Sequence, residues 1–346
     1  MARTRATRQV YADLLARYGQ QVADAFYEAL DTIRSGVEVQ RITAALANGN
    51  IEGAIEAMHL DPQAFNGIAD KLRDAYSEGG KVTAEFMPKR LPSGAALVVR
   101  FDGRNLAAEA WLSRHSSELI TQITTEQVQS VRAALTESMR RGVNPRQAAL
   151  EIVGRINRVT GKREGGILGL SVPQEAYVRT ARDQLASSDP AGLRAYLTRS
   201  RRDKRFDRSV TKAIREGKAV DPEIAAKAVT AYERRLLKLR GEVIGRVEAM
   251  TSLQQAKHEA YRQAIEAGKL EENTVTKVWR SAGDNRVRHT HEDLNAESVR
   301  INEAFQSPSG ALLRFPMDTS LGAGPEEIVN CRCDCEYRID FYANLR

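Results

Sequence analysis

Thiols are almost absent from this 346-residue chain. The three cysteines, Cys331, Cys333 and Cys335, occupy alternate positions near the C-terminus. An odd number of thiols does not favour a framework of disulfide bonds, so we expect a reducing compartment such as the cytoplasm. Aromatic residues are also sparse, at 6%, which favours helices that pack through alanine and leucine.

The sequence also has no long apolar run and few histidines. No stretch of about 18 apolar residues occurs, so we expect no membrane-spanning helix. We find no phosphate-binding loop, no H-E-x-x-H zinc motif and no G-x-S-x-G nucleophile turn. His289, His291 and Asp293 match part of a two-metal hydrolase signature, but Leu294 stands where another histidine is needed. These absences indicate a binding or structural protein and not an enzyme.

Acidic residues are outnumbered by basic ones, 45 against 52, which gives a mild net charge of +7. Such an excess favours a polyanionic partner. The densest basic group lies in segment 199–208, and two interpretations of it stay open. It is either a solvated face or a nucleic-acid contact that holds phosphates without reading the base sequence. The candidate nucleic-acid-binding residues are Arg199, Arg201, Arg202, Lys204, Arg205 and Arg208.

Helical periodicity dominates most of the chain. Thr124 and Gln127 have the spacing of a capping box, so we predict that a helix begins there. Asn144 followed by Pro145 predicts a second helix start, because asparagine caps well and proline suits the first helical position. Segment 221–268 has the pattern of one or two long helices that begin at an Asp-Pro pair and end at a glycine.

The pattern predicts a mainly α fold with two domains. Residues 1–270 form an elongated helical body, with a break near 91–105 and a glycine-rich loop near 161–174. Residues 271–346 form a small α+β domain, because short alternating runs there are separated by Gly, Pro, Asn and Asp. Three strands are expected in it, around Val275–Trp279, around Val299–Ile301 and in the segment "CEYRIDFY". A unit of about 75 residues buries little core, so a metal or another staple would help its stability.

The alternating cysteines suggest why they are gathered in one place. If segment 331–335 is extended, all three sulfurs lie on one face of a strand and converge on a soft metal. Zinc takes four nitrogen or sulfur ligands, and His291 or His289 would complete the set. Two alternatives stay open, since C-x-C is less typical of zinc sites than C-x2-C. The thiols either pack as small buried hydrophobes or serve a redox or disulfide role.

An ordered set of motif residues runs through the predicted C-terminal domain. Its members are Trp279, Asp284, Arg286, Val287, Arg288, His291, Leu294, Phe305, Pro316, Asp318, Asn330, Cys331, Arg332 and Cys333. In order and spacing this set resembles the C-terminal domain of the Mu F-like head-morphogenesis proteins, which are minor head proteins of tailed phages. The resemblance covers roughly residues 274–340 and continues more weakly at Arg246 and Glu248. Ala296 departs from it, because the family usually has a permissive glycine there.

The resemblance implies roles for these residues. His291, Cys331 and Cys333 would form the core constellation, to which Cys335 is an addition, and the four residues are the candidate metal ligands. The structural residues of the motif would be Trp279, Asp284, Arg286, Arg288 and Asn330, with the two arginines bracing the constellation through acidic or backbone partners.

The resemblance also implies a function. The chain would be a minor virion component inside the head near the portal, assembled in the host cytoplasm. It would bind the portal protein and double-stranded DNA without sequence preference, contact the major capsid or scaffold protein, and support head morphogenesis and genome packaging or delivery. The alternative is a metal-dependent enzyme or a toxin-like effector built on the same domain; the effector would be expected to carry a further catalytic domain.

Overall fold

The computed structural model describes the backbone of residues 2–343 and the side chains of residues 7–343. Helices dominate this part of the chain, and the predicted mainly α fold class is confirmed. The helices are α1 (Ala2–Gly36), α2 (Val39–Ala47), α3 (Ile51–Glu56), α4 (Asn66–Phe86), α5 (Leu106–Arg140), α6 (Pro145–Val153), α7 (Val172–Ala186), α8 (Pro190–Leu197), α9 (Asp207–Glu216), α10 (Pro222–Glu266), α11 (His289–Asp293) and α12 (Pro325–Ile328). The strands are β1 (Arg155–Ile156), β2 (Arg163–Glu164), β3 (Val275–Arg280), β4 (Ser298–Arg300), β5 (Phe305–Gln306), β6 (Leu312–Leu313) and β7 (Asp334–Ile339).

Contacts between residues group the chain into two compact units. The first unit comprises residues 1–25, 67–116 and 242–346, and the second comprises residues 26–66 and 117–241. Residues 271–346 therefore lie wholly within the first unit, together with helical segments from earlier in the chain. The domain boundary that we expect near residue 270 stays a prediction.

Two of the three predicted helix starts are confirmed. The Asn144 side chain accepts hydrogen bonds from the backbone N–H groups of Arg146 and Gln147, and α6 begins at Pro145. Helix α10 begins directly after Asp221, whose carboxylate caps it. The start predicted at Thr124 is wrong, because α5 runs continuously through that position. The Thr124 hydroxyl donates to the carbonyl oxygen of Ile120 one turn earlier, a bond that threonine can make inside a helix.

The two predicted interruptions differ in structure. Segment 91–105 contains no helix or strand of its own before residue 106, and a single isolated bridge joins Arg90 to Ala96. Segment 161–174 is more ordered than a surface loop: β2 pairs antiparallel with β1, and α7 begins at Val172. The apolar residues between them, Ile167, Leu168 and Leu170, are buried.

A three-stranded antiparallel sheet forms the centre of the C-terminal part, with strand order β4-β3-β7. The three strands expected from the sequence are thereby confirmed. The register places Trp279 opposite Cys335 and Val278 between Ser298 and Glu336. The sheet packs on an apolar core whose large buried side chains include Trp279, Phe305 and Phe315.

Helix α10 supports the edge strand β7 through buried polar groups. The Lys257 ammonium lies 2.5 Å from the Asp334 carboxylate, and the Gln254 amide donates to the same carboxylate at 2.9 Å. His258 Nδ1 lies 2.9 Å from the Tyr337 hydroxyl. These bonds satisfy polar side chains that the surrounding elements remove from water, and they fix the strand that follows the cysteine segment.

Candidate metal centre

A histidine and two cysteines meet beside the sheet. His291 lies on the short helix α11, and Cys331 and Cys333 lie in the segment between α12 and β7. His291 Nδ1 is 3.5 Å from the sulfur of Cys331 and 3.5 Å from the sulfur of Cys333. All three side chains are buried, and they are the only group of three potential metal-ligating residues found within residues 7–343. This His–Cys–Cys centre could hold a metal ion.

A tight turn brings the two sulfurs round to the histidine. Asn330 adopts the left-handed conformation, with φ of +61°, which asparagine tolerates better than most residues. The backbone N–H of Cys331 donates to the carbonyl oxygen of Ile328 at 3.0 Å, and the N–H of Cys333 points to the sulfur of Cys331 at 3.5 Å. The turn therefore curls the chain around the first sulfur before the strand begins.

A buried carboxylate fixes the orientation of the imidazole. Glu327 Oε2 lies 2.6 Å from His291 Nε2, and the carboxylate also accepts hydrogen bonds from Ser309 at 2.7 Å and Ser307 at 3.2 Å. Burial raises the pKa of Glu327, but the bonds from Ser309 and His291 outweigh it and leave the pKa below its ordinary value. An ionised Glu327 holds a proton on Nε2, so Nδ1 would offer its lone pair to a bound ion, as in the carboxylate–histidine pairs of metal sites.

The two thiols influence each other's protonation. A hydrogen bond from Cys331 lowers the pKa of Cys333, burial opposes this, and His291 adds to the lowering. The same hydrogen bond, together with burial, raises the pKa of Cys331. The pair therefore favours one thiolate, at Cys333. A bound cation would displace the proton that remains on Cys331.

The distances suit a tetrahedral ion. Bonds of about 2.0 Å to nitrogen and about 2.3 Å to sulfur place the two donor atoms about 3.5 Å apart around zinc. Both nitrogen–sulfur distances have this value. A cavity of about 10 Å³ adjoins the three donors and is lined in part by Arg288, Arg332 and Asn330. It has room for roughly one water molecule, which would be the fourth ligand.

Cys335 and His289 lie outside this group. The alternation rule does not apply to all three cysteines, because β7 begins only at Asp334 and Cys333 precedes it. Cys335 lies opposite Trp279 in the sheet, where burial raises its pKa to about 12. His289 is fully exposed and lies 3.7 Å from the carboxylate of Glu292.

The structural residues of the motif surround the centre in different ways. The Trp279 ring meets the His291 ring edge to face, with centroids 5.1 Å apart. The Arg288 guanidinium donates to the carbonyl oxygen of Val329, which holds α11 against the cysteine segment. Asp284 accepts a hydrogen bond from the backbone N–H of Arg286, and the Arg286 side chain is exposed.

Sequence reasoning missed two of the contacts that brace the centre. Arg332, between the two cysteines, forms a two-fold ion pair with Asp284 at 2.5 and 2.6 Å. This pair lowers the pKa of Asp284 well below its ordinary value. The other is the Glu327 carboxylate behind His291. The Arg of the Cys-Arg-Cys motif was a signal for the first contact, whereas no local pattern marks Glu327.

The basic residues of segment 199–208 divide into paired and unpaired ones. Arg202 and Arg205 form two-fold ion pairs with Asp207 and Asp203, and Arg199 lies over the Tyr232 ring. The other three are exposed and make no ion pair with the residues that the structure describes. We name this set the unpaired triad: Arg201, Lys204 and Arg208.

The fold and the site define a mainly helical protein with a buried His–Cys–Cys centre beside a small antiparallel sheet. Residues 204–336 match the family model described as Phage Mu protein F like protein. This match confirms the resemblance carried by the motif residues, and it supports a Mu F-like phage protein over this part of the chain. A domain of this family suggests a phage head-morphogenesis protein located in the virion.

Two other comparisons gave no match: neither a curated protein nor a solved structure is similar to the chain at a significant level. None of the described helices combines the length and the apolarity that a bilayer crossing requires.

Proposed function

We propose that this chain is a minor head protein of a tailed phage or prophage, which binds the portal protein and packaged DNA and supports genome packaging or delivery. One observation carries the proposal: the matched range, 204–336, contains the whole His–Cys–Cys centre and the residues that brace it. The protein would act inside the head near the portal, after assembly in the host cytoplasm. The major capsid or scaffold protein is a further expected partner.

DNA binding is assigned to the unpaired triad. Arg202 and Arg205 already hold carboxylates in two-fold pairs, whereas the triad has three exposed cations without such partners among the described residues. Phosphate contacts by these side chains would position the duplex without reading its bases. Affinity should therefore depend on salt and hardly on sequence.

The ion of the His–Cys–Cys centre is proposed to be zinc, in a structural role. One imidazole nitrogen and two sulfurs are a soft donor set that suits zinc. Zinc bound there would join α11 to the cysteine segment and neutralise the two thiolates. The adjoining cavity of about 10 Å³ has room for roughly one water molecule, which would complete the four ligands of the ion.

Co-sedimentation with portal oligomers tests the function directly. We expect the full chain to sediment with the portal protein of the same phage, and the variant that carries glutamine at all three positions of the unpaired triad to do so equally well. A chain that stays in the supernatant at micromolar concentrations of both proteins would contradict portal binding.

DNA binding is tested separately with the same triad variant. Loss of three phosphate contacts should reduce the slope of log K against log salt by about 2.7 for random-sequence duplexes. The charge-matched control variant replaces three exposed cations of the first unit with glutamine: Lys81, Arg100 and Arg114. Equal slopes for the triad variant and this control would move the DNA contact away from segment 199–208.

A further inference from the structure

A small β-hairpin in the second unit has a composition that the proposed function does not explain. Strands β1 and β2 pair antiparallel, with Arg155 opposite Glu164 and Ile156 opposite Arg163. Asn157 fixes the tip between them: its backbone N–H donates to the carbonyl oxygen of Lys162 at 2.8 Å. Its side-chain oxygen accepts from the N–H of Val159 at 2.8 Å. The tip is therefore a defined turn.

The outer surface of this hairpin carries both exposed apolar side chains and exposed cationic side chains. Val159 at the tip is 94% exposed and Ile156 is 60% exposed. Arg155 and Arg158 are exposed and form no ion pair with any residue in the described range. The Lys162 ammonium lies 3.5 Å from the carboxylate of Asp31, and both side chains are largely exposed. Such an exposed ion pair contributes little to stability.

The base of the hairpin is fastened to α10. The backbone N–H of Gly166, just after β2, donates to the buried carboxylate of Glu233 at 2.9 Å. Arg182 links this carboxylate to Glu151 at the other side of the hairpin base, at 3.4 and 2.5 Å. Gly166 has φ of +80°, and a Cβ there would lie 2.4 Å from the carbonyl oxygen of Ile152. The entry and exit of the hairpin are thus held close together.

The charge and shape of the hairpin fit duplex DNA. Two acids lie near its cations: Glu164, which already accepts a hydrogen bond from the Asn157 side chain, and Asp31, which is 3.5 Å from Lys162. A two-stranded ribbon is narrow enough to enter a groove of the duplex, and apolar wedges of groove-binding proteins insert between base steps and bend the duplex. Both the free cations and the exposed apolar tip would then have partners.

We propose that hairpin 155–164 is a DNA-contacting arm, in which Arg155, Arg158 and Lys162 meet backbone phosphates and Val159 enters a groove. The inference rests on the proposed DNA binding of the chain, and it adds a second contact element and a mode of contact. The unpaired triad would position the duplex, and the arm would bind its phosphates and bend it.

The charge part is tested on the full chain with the arm variant, which carries glutamine at residues 155, 158 and 162. We expect its salt slope for random-sequence duplexes to fall by about 2.7, whereas the Lys81/Arg100/Arg114 control should keep the slope of the original chain. Equal slopes for arm variant and control overturn the inference. If the triad variant still loses DNA affinity in that case, the proposed function stands; if the original chain binds no duplex at all, both fail.

The wedge part is tested with Val159→Ser, which leaves the charge unchanged. We expect about tenfold weaker binding and a smaller bend in a duplex labelled at both ends for energy transfer, because the apolar contact is lost. Unchanged bending overturns the wedge. Loss of binding to anionic vesicles or to the portal protein, with DNA binding intact, would assign the arm to those partners and likewise overturn the inference.

Discussion

Replacing Glu327 with glutamine tests whether this buried carboxylate controls the metal affinity of the His–Cys–Cys centre. In the original chain Glu327 Oε2 lies 2.6 Å from His291 Nε2, and Oε1 faces the two serines. The hydroxyls of Ser307 and Ser309 can accept hydrogen bonds from the new amide, so the glutamine oxygen keeps the hydrogen bond from His291 Nε2. The main change is then the loss of one negative charge behind the imidazole. Outer carboxylates of this kind are worth about 10–100-fold in metal affinity, which is about 1.4–2.7 kcal/mol.

The measurement is a zinc titration in competition with a chromophoric chelator at neutral pH. The matched control is Glu326→Gln, which removes the same charge from an exposed neighbour on α12. We expect Glu327→Gln to bind zinc at least tenfold more weakly than the control. If the two variants bind zinc with the same affinity, the carboxylate does not tune the histidine and our reasoning about Nδ1 is wrong.

Three further predictions concern stability. Ala296→Gly should raise the free energy of unfolding by about 1 kcal/mol, because Ala296 has φ of +72°, a conformation that costs an alanine about that much; urea unfolding would show an unchanged or lower midpoint if this is wrong. Gly245→Ala should lower it by about 2 kcal/mol or more, since a Cβ there would lie 2.1 Å from the carbonyl oxygen of Gly19 on α1; unaltered thermal melting would count against the close helix crossing. Burial raises the pKa of Glu233 to about 7, so its contribution to stability is full below pH 4.5 and is lost as the pH rises towards 7. Glu233→Gln should flatten that part of the stability–pH curve, and a curve parallel to the original would refute the assignment.

Local chemistry accounts for what the sequence predicted well. Asn144 and Asp221 cap helices through side-chain oxygens that reach backbone N–H groups two or three residues on. Strand β3 is rich in the β-branched and aromatic residues that favour strands, and only Thr276 and Arg280 in it are not fully buried. Such signals lie within a few residues of each other, so they need no knowledge of the fold.

The wrong helix start and the outlying cysteine have related causes. At Thr124 a capping pattern occurs by chance inside α5, and the packing of a 35-residue helix overrides it. At the cysteine segment the strand starts only with Asp334, so Cys335 lies in the strand, whereas Cys333 belongs to the turn before it. Both cases show how a local rule fails when its element begins elsewhere.

The supports of the centre come from distant parts of the chain. Glu327 is 36 positions from His291, and Arg332 is 48 positions from Asp284. The order of the motif residues indicated that His291, Cys331 and Cys333 belong together. It could not show that a carboxylate, two serines and an ion pair would orient them, because those contacts depend on how α11, α12 and the sheet pack.

The most direct test is the zinc content of two alanine variants, Cys333→Ala and Cys335→Ala, purified beside the original chain and measured by elemental mass spectrometry. Both cysteines are buried and two positions apart, but only Cys333 faces His291 Nδ1. We predict about one zinc per chain for the original protein and for Cys335→Ala, and a large loss for Cys333→Ala. An original chain without metal, or equal zinc in both variants, would contradict a metal centre at His291, Cys331 and Cys333.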